Sequence, residues 1–305
     1  MARLIQSGAR PGGRPPGAVE LTPEGALAAA LPATGQPAYA FAALPAGALV
    51  PGIEETNVRA PEAVAAAIRS ALDQVAPRSR SVTLILPDTV VRVFVLDFDT
   101  LPAKAAEINP VLRFRLRKMV PFEVEHAGVS YQVLSQTKTE CKVLTAILPG
   151  AILAEYETAV REAGYEPGAV LPSSLAALEL TGSLEAVLAA NLSGSAITTL
   201  IATGEDLLLY RTLDLPVGPA ERIAEIQRNI AVAAAYYEDK LGAAPRELRY
   251  AGNRDVREFA GWIEGPEFPP GFTVVELAPR PETGAAASLG HENIAAVAGA
   301  LAGAE

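Results

Sequence analysis

Short runs of alternating or continuous apolar residues, cut by Pro and Gly, open the chain, and a helical period takes over after residue 60. "GAVELTPEGALAAAL" predicts two strands around a turn at Pro23-Glu24-Gly25, and "AYAFAALP" predicts a third, giving a β-meander. "APEAVAAAIRSALDQVAP" spaces Val64, Ile68 and Leu72 four apart with Pro at both ends, which predicts a helix from about Glu62 to Val75. The apolar run "VTLILPD" reads as a central strand closed by Pro87. "VVRVFVLDF", "EHAGVSYQVLSQ" and "CKVLTAILP" predict three further strands, with a basic helix between the first and second. "AILAEYETAVREAG" then predicts a helix ending at Gly164, and "GAVLPSSLAALEL" a strand leading into a helix whose Ser173-Ser174 pair reads as its N-cap.

The second half starts again. "AVLAANLSGSAITTLIATGEDLLLYRTLDLP" offers another meander, and the next helix carries Ile223, Ile226, Ile230, Ala234, Tyr237 and Leu241 at helical spacing with Gly242 as its cap. "ELRYAGN", "RDVREFAGWI", "FTVVEL" and "HENIAAVAGAL" predict strand, helix, strand and helix. A meander followed by alternating helices and strands, present twice and with an extra unit in the first copy, predicts a duplicated α/β plan with a cleft between the halves.

Composition narrows the function. At 305 residues, half of them apolar, the chain suits about two domains. A formal charge of −10 argues against nucleic acid or an anionic bilayer as a partner of the whole surface. The single Cys141 lies in a strand-like run and reads as a buried structural thiol in a reducing compartment. Residues 1–16 read as a disordered lead-in without a continuous apolar segment, and the apolar stretches elsewhere are too short to span a membrane. His126 and His291 lie far apart outside any HxxxH or CxxC context, so no metal site is expected, and P-loop, GxGxxG and GxSxG motifs are absent.

Against this acidic balance, "RFRLRKMVPF" places four basic side chains in six residues. Asn109-Pro110 reads either as the N-cap and first turn of a helix running to about Val120 or as a kink in one begun near Pro102. In both cases Leu112, Leu116, Met119 and Val120 share a face, Arg113 and Arg117 border it, and Phe114 lies opposite with Lys118. Phe114 reads as an anchor for a peptide or neighbouring subdomain, or as a residue covered within its own fold. The basic side chains read as a solvated face complementing the helix C-terminus, or as a partner contact. Phe122 is expected under the strand that carries Tyr131.

The stretch "LRFRLRKMVPFEVEHAGVSYQVL" resembles the PilM family of type IV pilus assembly proteins. "LPDTVVRVFVLDFDTLP", "ILAEYETAVREAGYEPGAVLPSSLAAL", "IQRNIAVAAAYYEDKLGAAPRELRYAGN" and "HENIAAVAGAL" follow in family order, so the resemblance runs from about Gly17 onward. It implies an actin-like fold of duplicated ribonuclease-H-like domains, as in the cell-division protein FtsA. The first domain would span 17–180, with an inserted α/β subdomain near 90–150, and the second 181–305. It further implies a cytoplasmic protein peripheral to the inner membrane, reaching the membrane only through its partner. That partner would be a PilN-like bitopic protein, whose N-terminal tail the chain binds, with Arg113, Phe114, Arg117, Lys118, Phe122 and Tyr131 as the partner-binding candidates. Pilus motor ATPases are further implied partners.

Many family members also bind ATP through actin-type loops, so the resemblance admits ATP with magnesium. The corresponding nucleotide-loop candidates are Glu20 and Thr22; Asn191, Ser193, Ser195 and Thr198; and Gly252 with Asn253. Where the family has Asp-Ile-Gly turns, this chain has Glu20-Leu21-Thr22 before Pro23 and Asn191-Leu192-Ser193. Glutamate repels phosphate, proline removes a donor, and asparagine lacks the carboxylate that orients hydrated magnesium. The expectation is therefore a scaffold that is not an enzyme and needs no cofactor. The alternatives are an active actin-like ATPase or sugar-kinase-superfamily enzyme, and a type II secretion L-like domain, which would continue into a membrane helix where this chain ends at Glu305.

Overall fold

The computed structural model describes residues 13–32, 36–102, 104–182, 186–204, 206–278, 289 and 292–304. The first meander is β1 (Gly17–Leu21), β2 (Gly25–Ala30) and β3 (Ala38–Ala43). Gly25 permits it, because a Cβ there would stand 2.4 Å from the Ala42 carbonyl oxygen on the neighbouring strand. Next come α1 (Pro61–Val75), with Val64, Ile68 and Leu72 fully buried, and β4 (Ser81–Leu86). The inserted unit follows as β5 (Arg92–Phe98), α2 (Ala105–Leu116), β6 (Gly128–Gln136) and β7 (Cys141–Leu148). The chain then returns through α3 (Gly150–Glu162), β8 (Glu166–Pro172) and α4 (Ser173–Leu178).

The second half comprises β9 (Ala186–Leu192), β10 (Ala196–Thr203), β11 (Asp206–Asp214), α5 (Pro219–Leu241), β12 (Glu247–Gly252), α6 (Val256–Trp262) and β13 (Thr273–Glu276), and the chain closes on α7 (Ala295–Ala302). The two main sheets have the same order, β3-β2-β1-β4-β8 and β11-β10-β9-β12-β13. In each, the meander is antiparallel and the remaining strands run parallel to its first member. The plan repeats, as the sequence pattern predicts.

Strand periodicity explains how the pieces meet. On the second sheet, Leu188, Ala190, Leu192, Ile197 and Ile201 pack with α5 and α6, whereas Ala189, Leu200 and Ala202 join the core of the first half. Successive side chains point to opposite faces, so one sheet serves two cores. The inserted three-stranded sheet, β5-β7-β6, does the same: Cys141, Val143 and Ile147 pack with Leu112 and Leu116 of α2, while Leu144, Ala146 and Leu148 join the main core.

Two boundaries differ from expectation. The last helix packs on the first half: Ala296, Val297, Ala300 and Leu301 lie in its core, and Gly299 meets α4 so closely that a Cβ would stand 2.0 Å from the Ala176 carbonyl oxygen. An alanine-rich helix is apolar nearly all round, which predicts burial without naming the sheet that supplies it. The lead-in is anchored before residue 16: Arg14 pairs with Glu179 at 2.7 Å with both side chains largely buried, and the Pro16 carbonyl accepts the Leu31 N–H. Residues 1–12 and His291 lie outside the described residues.

Candidate functional site

In open α/β sheets, ligands bind in the crevice beyond the carboxyl ends of the parallel strands. Here those ends carry polar side chains from both halves: Glu20 on β1, Asp88 in the turn after β4, Ser173-Ser174 after β8 and Asn191 on β9. All are buried, and they bond to one another.

Asp88 is the centre. Its Oδ1 accepts the Ser174 N–H at 3.0 Å and the Tyr210 hydroxyl at 2.8 Å. Its Oδ2 accepts the Ser174 hydroxyl, the Thr198 hydroxyl at 3.0 Å and the Asn191 amide at 3.4 Å. The Asn191 amide also reaches the Ser173 and Ser174 hydroxyls at 3.0 and 3.2 Å, and its carbonyl accepts from Asn293 at 3.2 Å. Ser173 in turn donates to Glu20 at 2.6 Å. Burial pushes the Glu20 carboxyl up to about 7; the Ser173 bond opposes that shift, while the carboxylates of Asp88, Glu292 and Glu24 add to it. Next to Asp88, burial raises the Tyr210 hydroxyl well above the usual phenol range.

The structure therefore brings Glu20, Asn191 and Thr198 of the nucleotide-loop candidates together, but as partners of other side chains. Glu20 is an interior strand residue and not part of the turn. Thr22 and Ser193 close their own hairpins: the Gly25 N–H reaches the Thr22 hydroxyl at 3.3 Å, and the Ala196 N–H reaches the Ser193 hydroxyl at 3.1 Å. Ser195 is exposed. Gly252 lies against Tyr250, whose hydroxyl would be 2.3 Å from a Cβ there, and Asn253 follows in the loop. The hairpin tips abut across the cleft, since a Cβ on Gly194 would stand 2.9 Å from Glu24 Oε1. The serine pair is not an N-cap: no side chain caps α4, and both hydroxyls go to carboxylates. Sequence reading missed Asp88 and Tyr210. The available signal was the "LPD" that places an aspartate just past a central strand.

The inserted unit resolves the basic stretch. α2 runs from Ala105 with Pro110 inside it, so the helix begins ahead of Asn109-Pro110 and that pair is not its N-cap and first turn. Leu112 and Leu116 are fully buried, as expected, but the helix ends at Leu116 and not near Val120, which leaves Met119 exposed. Arg113 donates to the Val124 carbonyl and, at 2.9 Å, to the Ala127 carbonyl, and Arg117 pairs with Glu125. Both guanidiniums fasten the segment after the helix. Phe122 and Tyr131 are half-buried against the α2 core. Phe114 is 72% exposed, with Arg115 and Lys118 also exposed beside it. Cys141 is buried.

No protein-family model matches the chain, and no curated protein matches it either. Solved structures do. One, the PilM-PilN type IV pilus biogenesis complex, matches over 95% of this chain and 98% of its own with a TM-score of 0.74 at 18% identity. Another, a Bacteroides thetaiotaomicron protein described as having an actin-like ATPase fold and unknown function, matches over 85% and 90% with a TM-score of 0.50 at 11% identity.

The fold is actin-like. Magnesium nucleotide is the ligand that this fold implies, and the side chains at the corresponding cleft have partners of their own. Hydroxyls and amides that would face phosphate are bonded within the chain, and the Glu24 carboxylate stands at the second hairpin tip. Among the described residues, the charges that act on Glu20 are the carboxylates of Asp88, Glu292 and Glu24. Among the described residues no three His, Cys, Asp or Glu side chains converge as metal ligands would, and no helix is long and apolar enough to cross a membrane.

Proposed function

We propose that this chain is a cytoplasmic, actin-like scaffold of type IV pilus assembly that holds the N-terminal tail of a PilN-like inner-membrane protein and does not turn over ATP. The observation that carries this reading is the likeness, over nearly the full length of both chains, to the PilM-PilN complex. The inserted unit supports it by presenting Phe114 to solvent with Arg115 and Lys118 alongside, an aromatic anchor with cationic neighbours of the kind that dominates peptide contacts. Arg113 supports the surface indirectly, by holding residues 124–127 against the helix. The membrane is reached through the partner, and pilus motor ATPases are further partners for the rest of the surface.

Titration of the full chain with a synthetic PilN-like tail tests the scaffold role. Saturable binding is expected, and Phe114→Ala with Lys118→Glu should weaken it about tenfold or more while leaving the melting temperature unchanged. A tail that does not bind the folded protein would sink the proposal. The enzyme reading is tested by calorimetry with ATP and magnesium, where micromolar binding together with phosphate release would replace the scaffold by an ATPase.

A further inference from the structure

Asp88 belongs to the first half, yet most of its partners do not. Among the described residues only Ser174, through its N–H and its hydroxyl, comes from the same half; Asn191, Thr198 and Tyr210 come from β9, β10 and β11 of the second. A carboxylate offers about four lone-pair sites, and here both oxygens are engaged by donors from four elements. Around it the bonds continue in both directions. Thr198 shares a hydroxyl contact with Thr212 at 2.9 Å, Ser173 links Asn191 to Glu20, and Asn293 ties the segment before α7 to Asn191. Bonds to an ionised acceptor are stronger than neutral ones, and breaking a buried set leaves several donors without partners. The network lies at the carboxyl ends of the parallel strands, where an open α/β fold admits a ligand, and its members satisfy one another.

We propose that this chain keeps its cleft shut without any ligand, through Asp88 as a clamp that α4 and three strands of the second sheet grip together. In a fold built as two halves around a cleft, such a clamp fixes the angle between the halves by side chains alone. The protein then presents one shape whatever the nucleotide supply. This inference goes beyond the scaffold reading and does not need it, because it concerns the cleft and not the tail surface.

The test compares the full chain with Asp88→Asn, which places an amide donor among donors, by hydrogen exchange and small-angle scattering. Exchange of amides in 173–178 and 188–202 should rise about tenfold or more in the variant, with a larger radius of gyration, while the wild type should show no compaction on addition of ATP and magnesium. If Asp88→Asn does not fold, Thr198→Val combined with Tyr210→Phe removes two clamp donors from the second half only and should produce the same opening in a weaker form. Unchanged exchange and scattering in a folded Asp88→Asn, or in the double variant, would overturn the clamp. So would compaction of the wild type by nucleotide. Tail binding measured on the same variants keeps the two ideas apart: a cleft that opens in a variant supports the clamp whether or not the tail binds, whereas a wild type that does not bind the tail sinks the scaffold reading alone.

Discussion

Glu20 is a buried carboxyl whose nearest charges are other carboxylates, and the consequence is a stability that depends on pH. Its folded value of about 7 lies above the ordinary 4.5, so the folded state holds the proton more tightly than the unfolded chain. The sign follows: the contribution is complete below about pH 4.5, declines as pH rises through 7 and is lost above that, a difference of roughly 3 kcal/mol at 1.36 kcal/mol per pKa unit. Urea unfolding of wild type and Glu20→Gln at pH 5 and pH 8.5 should show the variant without this fall; equal pH dependence in the two proteins would remove Glu20 as its source. Arg113 carries a different residue-scale effect. Its guanidinium bonds three carbonyls in the segment after α2, so Arg113→Ala should cost about 1–3 kcal/mol in the same assay, with Lys recovering only part because it lacks the planar fork.

Among the elements, α2 and α7 show how a helix is placed by what it meets. α2 buries Leu112 and Leu116 against the inserted sheet and leaves Phe114 outside. Leu116→Ala should therefore destabilise by about 2–5 kcal/mol, whereas Phe114→Ala should leave chemical denaturation within about 0.5 kcal/mol of wild type. α7 crosses α4 at Gly299, where even a methyl group would enter the Ala176 carbonyl. Gly299→Ala improves intrinsic helix propensity by about 1 kcal/mol, yet it is expected to lower the melting temperature, because the helices must separate to admit the methyl. A variant that melts higher than wild type would show that the crossing is looser than this geometry.

For the whole molecule, the return of α7 to the first sheet means that the first half is completed by the end of the chain. Deleting residues from 294 onward should expose the face of β1, β2 and β4 that α7 covers, giving a protein that binds a hydrophobic dye and loses cooperative unfolding. A deletion that unfolds as cooperatively as the full chain would count against this dependence. Much of the architecture was legible in the sequence, because hydrophobic period and Pro/Gly punctuation act locally. The two meanders, the helix carrying Val64, Ile68 and Leu72, the capped helix ending at Gly242 and the inserted strand-helix-strand unit were all set by side chains within a few positions of one another. The cleft was not legible in the same way. Ser173 and Ser174 look like helix caps when read beside Leu175, and Asp88 looks like the end of a strand; only folding brings them against Asn191, Thr198 and Tyr210, more than 80 residues from Asp88 in each case. The sequence by itself determined which elements form and that they form twice. Tertiary structure decided which polar groups share a buried site, because hydrogen bonding between distant residues depends on the packing of sheets and leaves no period along the chain.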